Sequence, residues 1–328
     1  MKEKFNILKN IFDEENNKYI YRGIVIYLLS NEDEPYKLYK MNVQSNTLFK
    51  DTVKSTMNRC SDDTNFYNYP DYTSPDGCET ISYLSIDEID VYNEIKNRIN
   101  NDMSENITGK KLSGVISNIK GYAIKILYEE CSGDGNATDK TIICYSKLTK
   151  SSFLEPKHPI WSFGSEEDDY VKEVKGLFLK FNEKIIAIDI EDTLFIMNGY
   201  YFEILFKYDE YINNSAKICR EDIRNQGLVS NINILDEYYD TNKNIRKLLY
   251  KINSKDMLSQ ITIDKFKNLK NEEEGEKLLF IINDDETISI DETMKSKSIM
   301  QILRIYNDET AKTIISNETI FAQQKLKI

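Results

Sequence analysis

The sequence predicts an α+β protein in which antiparallel β-meanders pack with long amphipathic helices, arranged as two subdomains. Three observations carry this expectation. Strand-sized runs of β-branched and aromatic residues, such as Tyr19 to Leu29 and Lys184 to Ile190, recur along the chain. Helical stripes such as Phe202, Leu205, Ile212, Ala216, Cys219 and Ile223 run between them. At 328 residues the chain is also long for one hydrophobic core.

Taken in order, Phe5, Leu8, Ile11 and Phe12 place a short amphipathic helix at residues 4–15. Tyr19 to Leu29 and Lys37 to Val43 read as strands, and Leu48, Phe49, Val53 and Met57 mark a second helix. Cys60 to Glu79 mixes turn formers with Phe66, Tyr67, Tyr69 and Tyr72, which predicts an ordered excursion whose tyrosines pack on the domain. Ser85-Ile86-Asp87-Glu88 has the spacing of a capping box and is expected to start a helix that runs to about Asn100. Val115 to Glu129 and Thr141 to Leu148 are expected as strands around the glycine-bearing loop that follows Cys131. A connector with Pro156, Pro159 and the single tryptophan, Trp161, then leads to the acidic run Glu166 to Asp169. The expected subdomains are therefore residues 1–165 and 166–328.

In the second half, Gly176 to Phe181, Lys184 to Ile190 and Thr193 to Asn198 are separated by two-residue polar turns, which predicts consecutive antiparallel hairpins. From Tyr200 the period changes to one continuous helix of about 25 residues, stopped by Gly227. Further helices are expected at Asn242 to Ile252, Ile263 to Asn271 and Ser298 to Tyr306, with a hairpin of Leu278 to Ile282 and Thr287 to Ile290.

Composition narrows the function. The chain is 40% hydrophobic and 30% charged, in the range of folded proteins. It has no apolar run of the roughly 18 residues that a membrane span needs, and its charged start, Met1 to Asn6, is unlike a signal peptide. A cytoplasmic protein is expected. Its five cysteines form no CxxC pair and its one histidine, His158, stands alone, so no zinc site and no histidine-based triad is expected. The net charge of −12 argues against coating nucleic acid with the whole surface, though not against a local basic face.

Three motifs invite chemistry and have simpler explanations. The loop Gly133-Asp134-Gly135 is followed by Thr141-Ile142-Ile143 and not by a helix, so a hairpin tip is expected in place of a phosphate cradle. Pro75-Asp76 with Glu94-Ile95-Lys96 fits the letters of a metal-nuclease pattern, but Glu94 and Lys96 fall within a helix, where residues two apart diverge. Asp189, Glu191 and Asp192 sit around a turn, where solvated carboxylates are ordinary. No residue is assigned a catalytic role, no metal or cofactor is expected, and the chain reads as non-enzymatic.

The most informative charge is positive. Lys243, Arg246, Lys247, Lys251, Lys255, Lys265, Lys267 and Lys270 stand against only Asp256 and Asp264, eight cations to two carboxylates. Lys243, Lys247 and Lys251 follow an i, i+4 spacing while Ile245, Leu248, Leu249 and Ile252 fill another face, a pattern suited to phosphate contact or to simple solvation.

The segments Leu177 to Phe181, Ile185 to Asp189, Leu194 to Asn198 and Tyr201 to Tyr208 resemble the KwaB-like family of the Kiwa antiphage system, as do Ile281 to Asp285 and Ile302 to Asp308. The resemblance covers roughly residues 115 to 328. It implies bacterial antiviral defence, DNA binding, and action with a small transmembrane partner of the KwaA type that brings the protein to the membrane. The eight basic residues are then the DNA-binding candidates, doubled if the chain forms a homo-oligomer. A protein-interaction scaffold without nucleic acid and a divergent metal-dependent nuclease are the alternatives. Glu203, the carboxylate at the helix start within Tyr201 to Tyr208, is explained by the helix dipole.

Overall fold

The computed structural model has the expected α+β class. It describes residues 1–13, 15–41, 47–60, 64–69, 80–85, 89–108, 112, 114–131, 136–149, 152–154, 160–163, 171–174, 178–179, 181, 184–254, 258–271, 278–312 and 319–321. These form two compact units that divide between Lys207 and Tyr208.

The first unit is built on a sheet of nine strands. In chain order they are β1 (Tyr19–Ser30), β2 (Lys37–Met41), β3 (Asn65–Asn68), β4 (Thr80–Ser85), β5 (Glu105–Ile107), β6 (Ile119–Cys131), β7 (Ala137–Lys147), β12 (Ala187–Ile190) and β13 (Thr193–Ile196). Across the sheet the order is β3-β4-β13-β12-β7-β6-β1-β2-β5. The interior pairs are antiparallel, and only the two edge pairs, β2 with β5 and β3 with β4, are parallel. Short two-stranded pieces join β8 (Phe153–Leu154) to β11 (Phe178–Leu179) and β9 (Ile160–Phe163) to β10 (Val171–Val174). Of the meander expected from Gly176, the second hairpin forms as β12 with β13, whereas β11 is corrected to a pairing with β8 and β12 pairs on its other side with β7. The boundary expected at 165/166 falls inside this unit, because β12 and β13 hydrogen-bond into the same sheet as β7 and β4.

Period-two alternation gives the sheet two covered faces. On one, Ile24, Ile26, Leu28, Tyr122, Ile124, Ile126, Ile142, Cys144, Ile188 and Phe195 meet Phe5, Leu8 and Ile11 of α1 (Lys2–Ile11) and Phe49, Val53 and Met57 of α2 (Thr47–Asn58). On the other, Tyr145 packs edge-on against Tyr92 of α3 (Asp90–Asn100) and against Phe206, which follows α4 (Gly199–Leu205). Gly121 permits this second layer: a Cβ there would stand 2.6 Å from the Ser146 carbonyl oxygen and 3.0 Å from Leu205 Cδ1.

The expected helix begins later than the Ser85 capping box placed it. Ser85 ends β4, paired with Thr193, and α3 begins at Asp90 after Ile89, which supplies no side-chain cap; residues 86–88 lie outside the described set. The single long helix is also corrected. Lys207 has a φ of 53°, which an α-helix cannot contain, so the stripe divides into α4 and α5 (Tyr208–Gln226).

The second unit holds α5, α6 (Asn233–Tyr239), α7 (Lys243–Ser254), α8 (Ile263–Asn271) and α9 (Lys295–Tyr306), with the hairpin β14 (Phe280–Ile282) and β15 (Ile288–Ile290). A last small hairpin joins β16 (Thr310–Lys312) to β17 (Thr319–Phe321). Its core combines Ala216, Cys219 and Ile223 with Ile245, Leu249, Ile252, Phe266, Phe280, Ile288, Ile302 and Tyr306. Among the described residues no helix is long and apolar enough to cross a membrane.

Candidate nucleic-acid interface

Helix α7 starts at the expected place because the Asn242 side chain accepts hydrogen bonds from the amides of Asn244 (3.0 Å) and Ile245 (3.4 Å). Its apolar stripe, Ile245, Leu248, Leu249 and Ile252, is buried. Its cations are largely engaged. Lys243 Nζ lies 2.8 Å from Asp209 Oδ1. Arg246 donates to the carbonyls of Tyr239 (2.8 Å) and Asp240 (3.0 Å), closing the end of α6. Lys247 is half-exposed and also has a partner. The Lys251 side chain is only 12% exposed, with Nζ 3.7 Å from Glu309, which Arg304 approaches from 3.9 Å.

On α8, Lys265 is exposed, Lys267 Nζ meets Glu286 at 3.0 Å, and Lys270 donates to the Phe280 carbonyl at 3.0 Å while lying over the Phe280 ring. Lys255 lies outside the described residues. The seven described candidates divide by what they touch. Arg246, Lys251 and Lys270 hold the unit together. Lys243 and Lys267 form ion pairs at the surface, where such pairs are worth about 0–1 kcal/mol and are easily exchanged for another anion. With Lys247 and Lys265, they are the described members of this set that are not tied into the unit's interior.

The residues missed from the sequence lie in the first unit. Asp189 shares its strand parity with Ala187, so it faces α3 and is buried, 4% exposed; it is not the solvated turn carboxylate that was expected. Lys96 of α3 reaches both Asp189 (3.0 Å) and Asp192 (2.8 Å). Burial raises the Asp189 carboxyl above the usual range, outweighing the attraction of Lys96, whereas the more exposed Asp192 is lowered by its hydrogen bond from Lys96. Glu191 and Asp192 both have positive φ, 47° and 61°, the geometry of a tight hairpin turn that normally favours Asn-Gly. Lys140 on Glu191 (2.6 Å), Lys4 on the Glu191 carbonyl (3.0 Å) and Lys96 on Asp192 hold that turn. The nearby hydroxyls of Tyr92 and Tyr145 are buried with no hydrogen-bond partner of normal geometry, and burial keeps both phenols neutral.

Glu94 and Lys96 lie on α3, paired with Arg98 and with the two aspartates; Pro75 and Asp76 lie outside the described residues. Among the described residues no three His, Cys, Asp or Glu side chains gather as metal ligands. The glycine loop joins β6 to β7 as a hairpin, with Cys131 opposite Ala137, and His158 lies outside the described set. Cys144 and Cys219 are buried, and burial pushes the Cys219 thiol up to about 12, which leaves it inert. Glu203 is buried inside α4 and accepts a hydrogen bond from Tyr69, so a partner more than the helix dipole accounts for it.

The chain matches the family described as "Kiwa protein KwaB-like" over residues 116–316, a stretch that runs from just before β6 to beyond β16. No curated protein and no solved structure matches it.

Proposed function

The chain belongs to the Kiwa protein KwaB-like family, which involves it in Kiwa antiphage defence, and from that premise we propose that it is the DNA-binding component of the defence complex. A small transmembrane partner of the KwaA type supplies the link to the membrane, and the chain itself works from the cytoplasm. The observation that carries the DNA reading is the concentration of eight cations against two carboxylates over residues 243–270 of a chain of net charge −12. Lys243, Lys247, Lys265 and Lys267 are its accessible members. Phosphates compete well for lysines whose present partners are exposed carboxylates. A homo-oligomer would double the surface and raise its affinity.

Anisotropy of a labelled duplex, titrated with the full chain across a range of salt, tests this. Affinity falls with salt, and Lys247→Gln with Lys265→Gln lowers the slope of log affinity against log salt by about 1.8, about 0.9 for each lost phosphate contact. Duplex binding untouched by both substitutions removes the assignment to α7 and α8. The second reading, a protein-interaction scaffold, is favoured by the ion pairs of Lys243 and Lys267, and it gains if no duplex is bound at low salt.

A further inference from the structure

A second positive surface lies on the first unit, before the residues that match the family. Over residues 2–11 and 47–59, the helices α1 and α2 with Arg59 carry Lys2, Lys4, Lys9, Lys50, Lys54 and Arg59 against Glu3 and Asp51. Both helices pack on the same face of the sheet, so these charges share one side of the unit. Asp13 and Glu15 follow α1, and the Asp13 side chain accepts a hydrogen bond from the Glu15 amide.

The α2 lysines are held by aromatic rings, as Lys147 is by Tyr201. Lys50 Nζ lies 5.0 Å from the centre of the Tyr21 ring and 5.7 Å from that of Phe12, and Lys54 Nζ lies 5.9 Å from Phe12. Among the described residues neither ammonium meets a carboxylate. Elsewhere on the same unit Lys18, Arg22 and Lys140 each hold a glutamate. Phe12 and Tyr21 are half-exposed, with ring centres 5.6 Å apart.

We propose that the α1–α2 face binds single-stranded nucleic acid, with Lys50 and Lys54 on successive phosphates and the Phe12 and Tyr21 rings against the bases. Lysines four apart on a helix stand about 6 Å apart along its axis, so both reach one extended backbone. A cation held by a ring keeps its full charge for a phosphate, and when the lysine swings to that phosphate the ring face it leaves is open to a base. A duplex offers no free base faces, which selects the single strand. A lipid surface is disfavoured: apart from Leu48, the exposed residues of α2 are Thr47, Asp51, Ser55 and Asn58, which give little to insert. The site is separate from the duplex-binding residues proposed on α7 and α8, and the two stand or fall independently.

The test measures binding of a short labelled oligothymidine to the full chain at low salt. Lys50→Gln with Lys54→Gln weakens it about tenfold and lowers the salt slope by about 1.4, about 0.7 for each contact on a single strand. Phe12→Leu weakens it a few-fold and leaves the slope unchanged, because it removes a stacking face and no charge. Lys50→Arg with Lys54→Arg retains binding, and this charge-preserving pair separates lost contacts from lost folding. The proposal is overturned if oligothymidine affinity survives the Gln pair, or if Lys247→Gln with Lys265→Gln removes it instead. Loss of binding to phosphatidylserine vesicles with oligothymidine binding intact would also overturn it, in favour of lipid.

Discussion

In α7 and α8 the ammonium groups of Lys243, Lys251 and Lys267 end on Asp209, Glu309 and Glu286; in α2 those of Lys50 and Lys54 end on the rings of Phe12 and Tyr21. The first region has the greater density of positive charge and the second has the less committed charge. An ion pair already answers a cation, so an incoming phosphate must displace a carboxylate; a ring leaves the cation's charge unopposed. Counting lysines therefore ranks the two regions one way, and counting their partners ranks them the other. Burial adds a third class, represented by Lys96 and Lys251, whose charge is used for folding.

The largest expected effect separates this third class from the other two. Lys96→Met strands the buried Asp189 and costs about 3 kcal/mol in urea unfolding, as for other buried pairs that lose one partner. The loss depends on pH with a definite sign. Burial raises the folded-state pKa of Asp189, so the folded protein binds that proton more tightly than the unfolded chain does. Its contribution is present below the ordinary carboxylate range and is lost as pH rises through the raised value. Without Lys96 the carboxyl is raised further, so the variant is penalised more at neutral than at mildly acidic pH. An equal loss at both would show that Lys96 matters only as packing. Next, Lys251→Met costs about 1–2 kcal/mol, because the Glu309 carboxylate keeps only the Asn307 amide and the distant Arg304 among the described residues. A loss near zero would move Lys251 into the accessible class.

The smallest effect lies at the surface. Glu286→Gln changes stability by less than about 0.5 kcal/mol, since its pair with Lys267 is exposed. It should nonetheless tighten duplex binding slightly by releasing Lys267, and weaker duplex binding would mean that this lysine faces away from the phosphates.

Period and composition made the elements of the fold legible: α1, α2, the β6–β7 hairpin, α7 and the β14–β15 hairpin fall close to where their apolar spacing places them. The break between α4 and α5 was hidden because a lysine, Lys207, takes the left-handed conformation that sequence reading reserves for glycine or asparagine. Ser85 to Glu88 imitated a cap because its letters fit, while the serine backbone belongs to a strand paired with Thr193. The candidate cations were legible as a cluster, but their partners Asp209, Glu286 and Glu309 lie on other elements and no local pattern announces them. Asp189 could have been found: alternation gives it the parity of Ala187 and assigns it to a covered face, although its partner Lys96 is remote in sequence.

The most direct test of DNA binding by this KwaB-like protein is duplex anisotropy against salt for the full chain, with and without Lys247→Gln and Lys265→Gln. The expected result is salt-sensitive binding whose slope falls by about 1.8 in the double variant. Absence of duplex binding at low salt, or an unchanged slope, would contradict it.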